Sequence, residues 1–453
     1  MIDFTFFLLA GMTATVLCWS LLIRRRIYQF PFFMAAIYCA FIIPQAIALI
    51  QNPGPVPEDA ISGYFIIATI CLLAGFAGYG IKPSPAIVHK LNIPICEIRL
   101  LYCGLFFVAI GYFMNLLIGR IYATGTVGTQ WSGSITIAAF FGKLMFPGFA
   151  IILFYTLRRP SVQLVILTAL ACYLPIRIVL LAGRREAAAT LILTIALAFY
   201  FRRRVLPQRW MVIAAIAVAA LAIPAIHHYR YAVQEKDWQH LTRVNVTIGI
   251  EEQMEKEHLE LRNAAMVYYM AREMGLRNYG LGYWDMMVFR FVPAQIVGIG
   301  TKASLMANTV KYPDILHDEY NYEIPNGTTI TGVADTFLEF GLFGSLVFVL
   351  IAWCFRSLWA AAHRYESPLI QIFYIMLLGP SMRAVTHGTI SFLPDLIYNV
   401  FFLGLIAFVS RKKVLSRTTG SGVIPLHVRQ VQQRARASQA PAQRQSLKPA
   451  ISR

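Results

Sequence analysis

Two sets of residues in this chain have types and spacings that could do chemistry. The first is arginine in places where arginine is expensive. Leu181-Ala182-Gly183-Arg184-Arg185-Glu186 follows directly on an apolar run, and Arg383 and His387 follow a second run that contains Gly379-Pro380. Arg290 sits in the apolar stretch Tyr283 to Gly300 beside Asp285 and Pro293, and Arg230 follows His227 and His228 at the end of a further run. A charge at membrane depth is costly unless it meets an opposite charge, water or a ligand. Arginine's planar fork suits phosphate, so a basic lining of this kind would hold an anionic substrate. Taken singly, each arginine is equally well an interfacial anchor at a helix end. As a set, Arg184, Arg185, Glu186, Arg230, Arg290, Arg383 and His387 read as a substrate-binding group. His227 and His228 lack a third ligand at usable spacing, so no metal site is expected.

The second set closes a long polar segment. In the stretch Gly327 to Gly344, rich in Gly and Thr, Asp335 and Glu339 stand four apart and so share one helical face. Two carboxylates just inside an apolar run need partners or water. They would pair with the arginines, or one would take a proton as a general base; Asp335 and Glu339 are the candidate catalytic residues. Gly341 and Gly344 read as helix-packing positions.

The elements that must position these residues are membrane helices. Hydrophobic residues make up 58% of the 453 and charged residues 14%, against roughly a quarter charged in a soluble domain. Taking about 20 apolar residues per span, candidates fall near 4–23, 29–50, 63–81, 100–118, 135–157, 162–182, 187–201, 210–227, 332–355, 368–382 and 392–410. The expected fold class is therefore an all-α polytopic integral membrane protein with about eleven transmembrane helices. The first span ends in Arg24-Arg25-Arg26 and is long enough to stay in the membrane, so no cleaved signal peptide is expected.

Alternate connections carry the positive charge: Arg24 to Arg26, then Lys82, Lys90 and Arg99, then Arg158 and Arg159, then Arg202 to Arg204 with Arg209, then Arg356 and Arg364, then Arg411 to Lys413. The rule that positive loops face the cytoplasm puts the N-terminus outside and the C-terminus inside. It also explains a net charge of +18 without a nucleic-acid partner. Membrane helices 1–8 would occupy 1–227, a large outer loop domain 228–331, membrane helices 9–11 332–410, and a disordered basic tail 411–453. The loop carries 13 of the 22 acidic residues against 10 Lys and Arg. Within it, Thr247 to Met274 reads as one amphipathic helix, and Tyr283 to Gly300 as a stretch lying in the interface or re-entering the membrane. The tail holds no acidic residue beyond Val414 and is expected to touch anionic lipid headgroups. The seven cysteines show neither a disulfide framework nor a zinc spacing.

Three short stretches, Gly183-Arg184-Arg185-Glu186, Phe289-Arg290-Phe291-Val292-Pro293 and Gly327 to Gly344, together with the architecture of nearly the whole chain, resemble the bacterial oligosaccharide repeat-unit polymerases. These are the O-antigen polymerases of the Wzy type, related to the O-antigen ligases. The resemblance implies a GT-C-like helical enzyme of the bacterial inner membrane that joins undecaprenyl-pyrophosphate-linked oligosaccharides at the periplasmic face, without metal or nucleotide cofactor. It implies a lipid-linked oligosaccharide as substrate, with a chain-length regulator and a flippase as pathway partners. Tyr279, Tyr283, Trp284, Tyr320 and Tyr322 would offer stacking faces to sugars. Related ligases carry a His-Asn pair where this chain has Thr328 to Thr331, which favours polymerase, although His387 or His317 could substitute in space. A lipid-linked oligosaccharide flippase and a non-catalytic assembly protein remain as alternatives. A transporter would carry charges at several mid-membrane depths and show repeat symmetry.

Overall fold

Runs of about 20 apolar residues leave the backbone no partner in lipid but itself, and they coil into helices. The structure, a computed structural model, describes residues 1–123, 134–182, 185–220, 229, 260–307, 309–325 and 328–412. Among these every regular element is helical, apart from an isolated bridge between Ile95 and Arg411. The principal helices are α1 (Ile2–Leu22), α2 (Phe30–Gln51), α3 (Glu58–Gly80), α4 (Glu97–Ala123), α5 (Ser134–Gly142), α6 (Met145–Arg158), α7 (Val162–Ala182) and α8 (Arg185–Arg203). They continue with α9 (Glu260–Glu273), α10 (Leu281–Phe291), α11 (Thr331–Phe340), α12 (Ser345–Tyr365), α13 (Pro368–Thr386) and α14 (Phe392–Ser410).

Nine stretches of the described residues are long and apolar enough to cross a membrane, and they match nine of the eleven expected spans. The seventh expected span, 187–201, corresponds to α8. Its 19 residues make about 28 Å of helix, but it carries Arg185 and Glu186 at one end and Arg202 and Arg203 at the other. The eighth falls on the shorter apolar helix Arg209–Ala220 and on residues beyond 220 that lie outside the described set. Helix α13 runs unbroken through Pro380, where Gly379 lets the Thr190 side chain of α8 come close. Close approach of backbones recurs where α4 crosses α6: a Cβ on Gly148 would stand 2.9 Å from the Gly104 carbonyl oxygen. Small residues at such crossings let membrane helices gain dispersion contacts where no water-driven force holds them together.

The bundle has two chemically distinct ends. At one, which we term the tail end, Cys96 N–H donates to Ser410 O at 2.7 Å, Arg158 pairs with Glu97, Arg204 pairs with Glu366, and Arg209 reaches Leu22 O at 2.8 Å. The arginines assigned by charge pattern to a single side gather here. At the other, the loop end, Arg262 donates to Asn52 O at 2.7 Å and Arg272 bonds Asp59. Helix α8 reaches both, since Glu186 meets Arg383 at the loop end and Tyr200 meets His363 near the tail end.

Two expectations change. Helix α9 is not amphipathic on the surface. From Leu261 to Ala271 all but Tyr269 are buried, including Arg262 and Asn263, because it is lodged against α2, α3 and α11. Residues 247–259 of the expected helix lie outside the described set. Several of its polar groups find partners, although Arg262 Nε is buried without one. Gln45 accepts from Leu261 N–H and donates to Glu260, while Asn263 donates to Thr328 Oγ1 at 2.8 Å and accepts from Tyr322. The described part of the expected loop domain thus belongs to the compact unit Met1–Arg411. The expected ninth span, 332–355, is broken. Gly341 has φ +61°, and a Cβ on Gly344 would stand 2.2 Å from Thr336 O. Residues eight apart on a straight helix are about 12 Å apart along its axis, so the chain turns sharply between α11 and α12.

Candidate functional site

Five charged side chains from five elements meet at the loop end. Arg383, in the last turn of α13, donates to Glu186 in the first turn of α8 at 2.7 Å and pairs through its other terminal nitrogen with Asp395, in the first turn of α14. Arg290, in the last turn of α10, donates to Asp395 Oδ1 at 3.0 Å. Lys143, in the break between α5 and α6, stands 3.8 Å from the same oxygen. Each helical member sits where its charge suits the helix: carboxylates at the N-terminal turns of α8 and α14, arginines at the C-terminal turns of α10 and α13.

Exposure is graded outward from this centre. The side chains of Asp395 and Arg383 are 8% and 17% exposed, whereas Arg290, Glu186 and Lys143 are 30%, 40% and 43% exposed. Burial makes the Arg290 guanidinium lose its proton more readily than usual, opposed by Glu186. Three cations thus face two carboxylates, leaving one positive charge in excess, with the most accessible groups at the rim. A buried ion pair costs desolvation that its attraction repays only with good geometry. The arrangement can accept an anion at the rim without disturbing the inner Arg383 and Asp395 pair.

Of the expected binding residues, the structure brings Glu186, Arg290 and Arg383 together. His387 lies one turn beyond Arg383, exposed, with its backbone N–H on Arg383 O at 2.7 Å and its Nδ1 2.7 Å from Thr386 Oγ1. Arg185 opens α8 beside Glu186, and nothing further is described of its side chain; Arg184 and Arg230, like His227 and His228, lie outside the described residues. Asp395 and Lys143 were not singled out in the sequence. The signal was there: each is a charge inside an expected span, 392–410 and 135–157, and such a residue is a site candidate by default.

The two candidate catalytic carboxylates are buried and held by donors of the neighbouring segments. Asp335, 4% exposed, accepts from Thr389 Oγ1 at 2.8 Å and from Ile390 N–H at 3.1 Å. The Tyr283 hydroxyl bonds the same Thr389 oxygen at 2.7 Å. Glu339, 2% exposed, accepts from Asn278 Nδ2 at 3.0 Å and Gly282 N–H at 3.3 Å. Asn278 in turn accepts from Val310 N–H at 2.8 Å, and Asp285 from Ala307 N–H at 2.6 Å. The described partners of Asp335 and Glu339 are therefore hydroxyls, an amide and backbone, not the arginines. Asp335 fixes the turn that leads into α14 and Asp395; Glu339 fixes the segment that leads into α10 and Arg290.

Of the five loop aromatics, Tyr279 and Trp284 are the open ones, at 79% and 54% exposed. Tyr322 is buried against Asn263, and Tyr320 packs edge-on against Tyr269 at 5.7 Å. Burial raises the Tyr283 hydroxyl well above its ordinary range, aided by the nearby Asp335. Around them Leu281, Ile296, Ile299, Leu342 and Phe343 are exposed, an apolar surface suited to the membrane interface expected for this stretch. In comparisons with known proteins, no family model, no curated protein and no solved structure matches the chain.

Proposed function

We propose that the chain is a polymerase of the bacterial inner membrane that joins undecaprenyl-pyrophosphate-linked oligosaccharide units into a surface polysaccharide. In this reading eleven spans, with α8 and the helix beginning at Arg209 as the seventh and eighth, hold the loop end in the periplasm. The single observation that carries it is the cluster of Arg383, Arg290 and Lys143 around Glu186 and Asp395, at the end of an apolar bundle. A lipid pyrophosphate needs cations at headgroup depth beside apolar surface for its chain. Among the described residues the shared ion-pair cluster lies at the loop end and not through the depth of the bundle, which favours group transfer over transport.

In the reaction an acceptor sugar hydroxyl attacks the anomeric carbon of the donor unit. The new glycosidic bond forms as the bond to the pyrophosphate oxygen breaks, and the hydroxyl proton passes to the departing pyrophosphate. Arg290 and Lys143, with Arg184 and Arg185 that precede Glu186 in sequence, meet the charge that develops on the departing pyrophosphate. Glu186, the more exposed carboxylate, binds acceptor hydroxyls. Asp335 and Glu339 act as positioning residues, since their hydrogen bonds hold α10 and α14 in register. The test is purified protein with lipid-linked repeat units, scored for oligomers. Wild type should give a ladder, and Arg290→Ala with Lys143→Ala should cut its yield more than about tenfold at equal protein. Unchanged ladders from that variant would remove the assignment, and translocation without oligomers would make the protein a flippase.

A further inference from the structure

At the tail end, the tips of α6, α8 and α12 border an open, polar groove of about 520 Å³ lined by Leu157, Arg158, Arg202, Arg203, Tyr365 and Glu366. That volume lies within the roughly 300–1,000 Å³ of small-molecule sites. Its charges are not balanced locally. Arg158 is committed to Glu97, and Glu366 to Arg204. Among the described residues, neither Arg202 nor Arg203 has a carboxylate in ion-pair reach. Arg202 lies over the Phe154 ring at 5.1 Å, and its Nε is buried with no hydrogen-bond partner. Arginines that merely set topology have no need of such a wall, because they stand in water. Arg202 Nε is out of a ligand's reach, so an acceptor oxygen in the groove would meet the rest of that guanidinium and the exposed Arg203.

We propose that this groove binds the headgroup of an anionic phospholipid, with the phosphate between Arg202, Arg203 and Arg158. Hydroxyls of the headgroup face Tyr365 and Glu366. Guanidinium pairs hold phosphate oxygens with two parallel bonds, and basic pockets between membrane helices are suited to such heads. The lipid source, as against free phosphate, rests on the neighbouring surface. Helix α7 starts four residues after Arg158 and is tied to α6 by Thr156 and Thr168 at 2.7 Å. It presents Val162, Val165, Ile166 and Leu170 outward at helical spacing, 55% to 77% exposed. That stripe begins beside the groove and offers the acyl chains a track. The site is independent of the loop-end cluster and of any activity assigned to it.

The test uses the full chain in phosphatidylcholine nanodiscs, with phosphatidylglycerol, inorganic phosphate or glycerol 3-phosphate added separately. Retained lipid is counted by native mass spectrometry, and the unfolding midpoint is followed. Wild type should retain phosphatidylglycerol saturably and melt higher with it. Arg203→Glu, at an exposed position that leaves the fold intact, and Arg202→Ala should each lower that retention about tenfold, while Arg24→Ala should not. Equal retention by wild type and Arg203→Glu overturns the proposal. Equal stabilisation by inorganic phosphate or glycerol 3-phosphate alone also overturns it, by making the pocket a site for soluble phosphate.

Discussion

The two ends of the bundle treat arginine in opposite ways. At the loop end Arg383 is 17% exposed and is shared between Glu186 and Asp395, with Arg290 and Lys143 drawn to the same carboxylate. At the tail end Arg158 and Arg204 are about half exposed, each on its own acid, and Arg202 and Arg203 line a groove whose one carboxylate, Glu366, is held by Arg204. A charge surrounded by helices must bring its counter-charge along, so the loop end is stitched by residues from five elements. A charge at a helix tip can leave its partner to solvent or to a ligand. Damage at the loop end should therefore register first in stability, and damage at the tail end in binding.

The sharpest way to break this contrast is Asp395→Ala, which removes the acceptor common to Arg383, Arg290 and Lys143. A loss of about 3–5 kcal/mol is expected for stranding buried charge, read as a fall in the unfolding midpoint in detergent. A melt unchanged from wild type would mean the cluster is solvated after all. Next comes Gly282→Ala, whose Cβ would stand 2.1 Å from Glu339 Oε1. Displacing that carboxylate should cost about 1–3 kcal/mol and loosen 278–282 to hydrogen exchange, without altering protection of α12. Thr389→Val removes the hydroxyl between Tyr283 and Asp335 and should cost about 1–2 kcal/mol. A neutral result there would separate the turn before α14 from the loop. The smallest effect belongs to Glu366→Ala at the tail end. Its pair with Arg204 is 51% and 63% exposed, and such pairs contribute about 0–1 kcal/mol. A change larger than that of Thr389→Val would erase the distinction between the ends.

Much of this frame is legible from hydropathy and charge placement. Nine of the eleven expected spans are long apolar helices, and the two sets of arginine, sorted by loop alternation, fall at opposite ends. What escapes is whatever depends on partners distant in sequence. Thr247 to Met274 reads as an amphipathic helix, and nothing local reveals that Asn52, Thr328 and Tyr322 wait for Arg262 and Asn263. Asp335 and Glu339 read as a reactive pair by their spacing of four, yet each is claimed by a different backbone segment. The break at Gly341 hides for a related reason. The stretch 331–365 has the hydropathy of a membrane span, and hydropathy is blind to a change of direction. Asp395 and Lys143 are charges inside apolar runs, a signal that sequence alone carries.

The lodging of α9 carries a consequence for how the chain is made. Its walls come from α2 and α3, synthesised well before it, and from α11, synthesised after it. During translation α9 therefore emerges polar and unpaired on one side of the bilayer, with half its berth missing, until α11 and the sharp turn into α12 arrive. Assembly cannot finish in the order of synthesis. A nascent chain stopped near residue 300, before Tyr322, Thr328 and α11, should leave Asn263 open to proteases and chaperones, while one stopped after α14 should protect it.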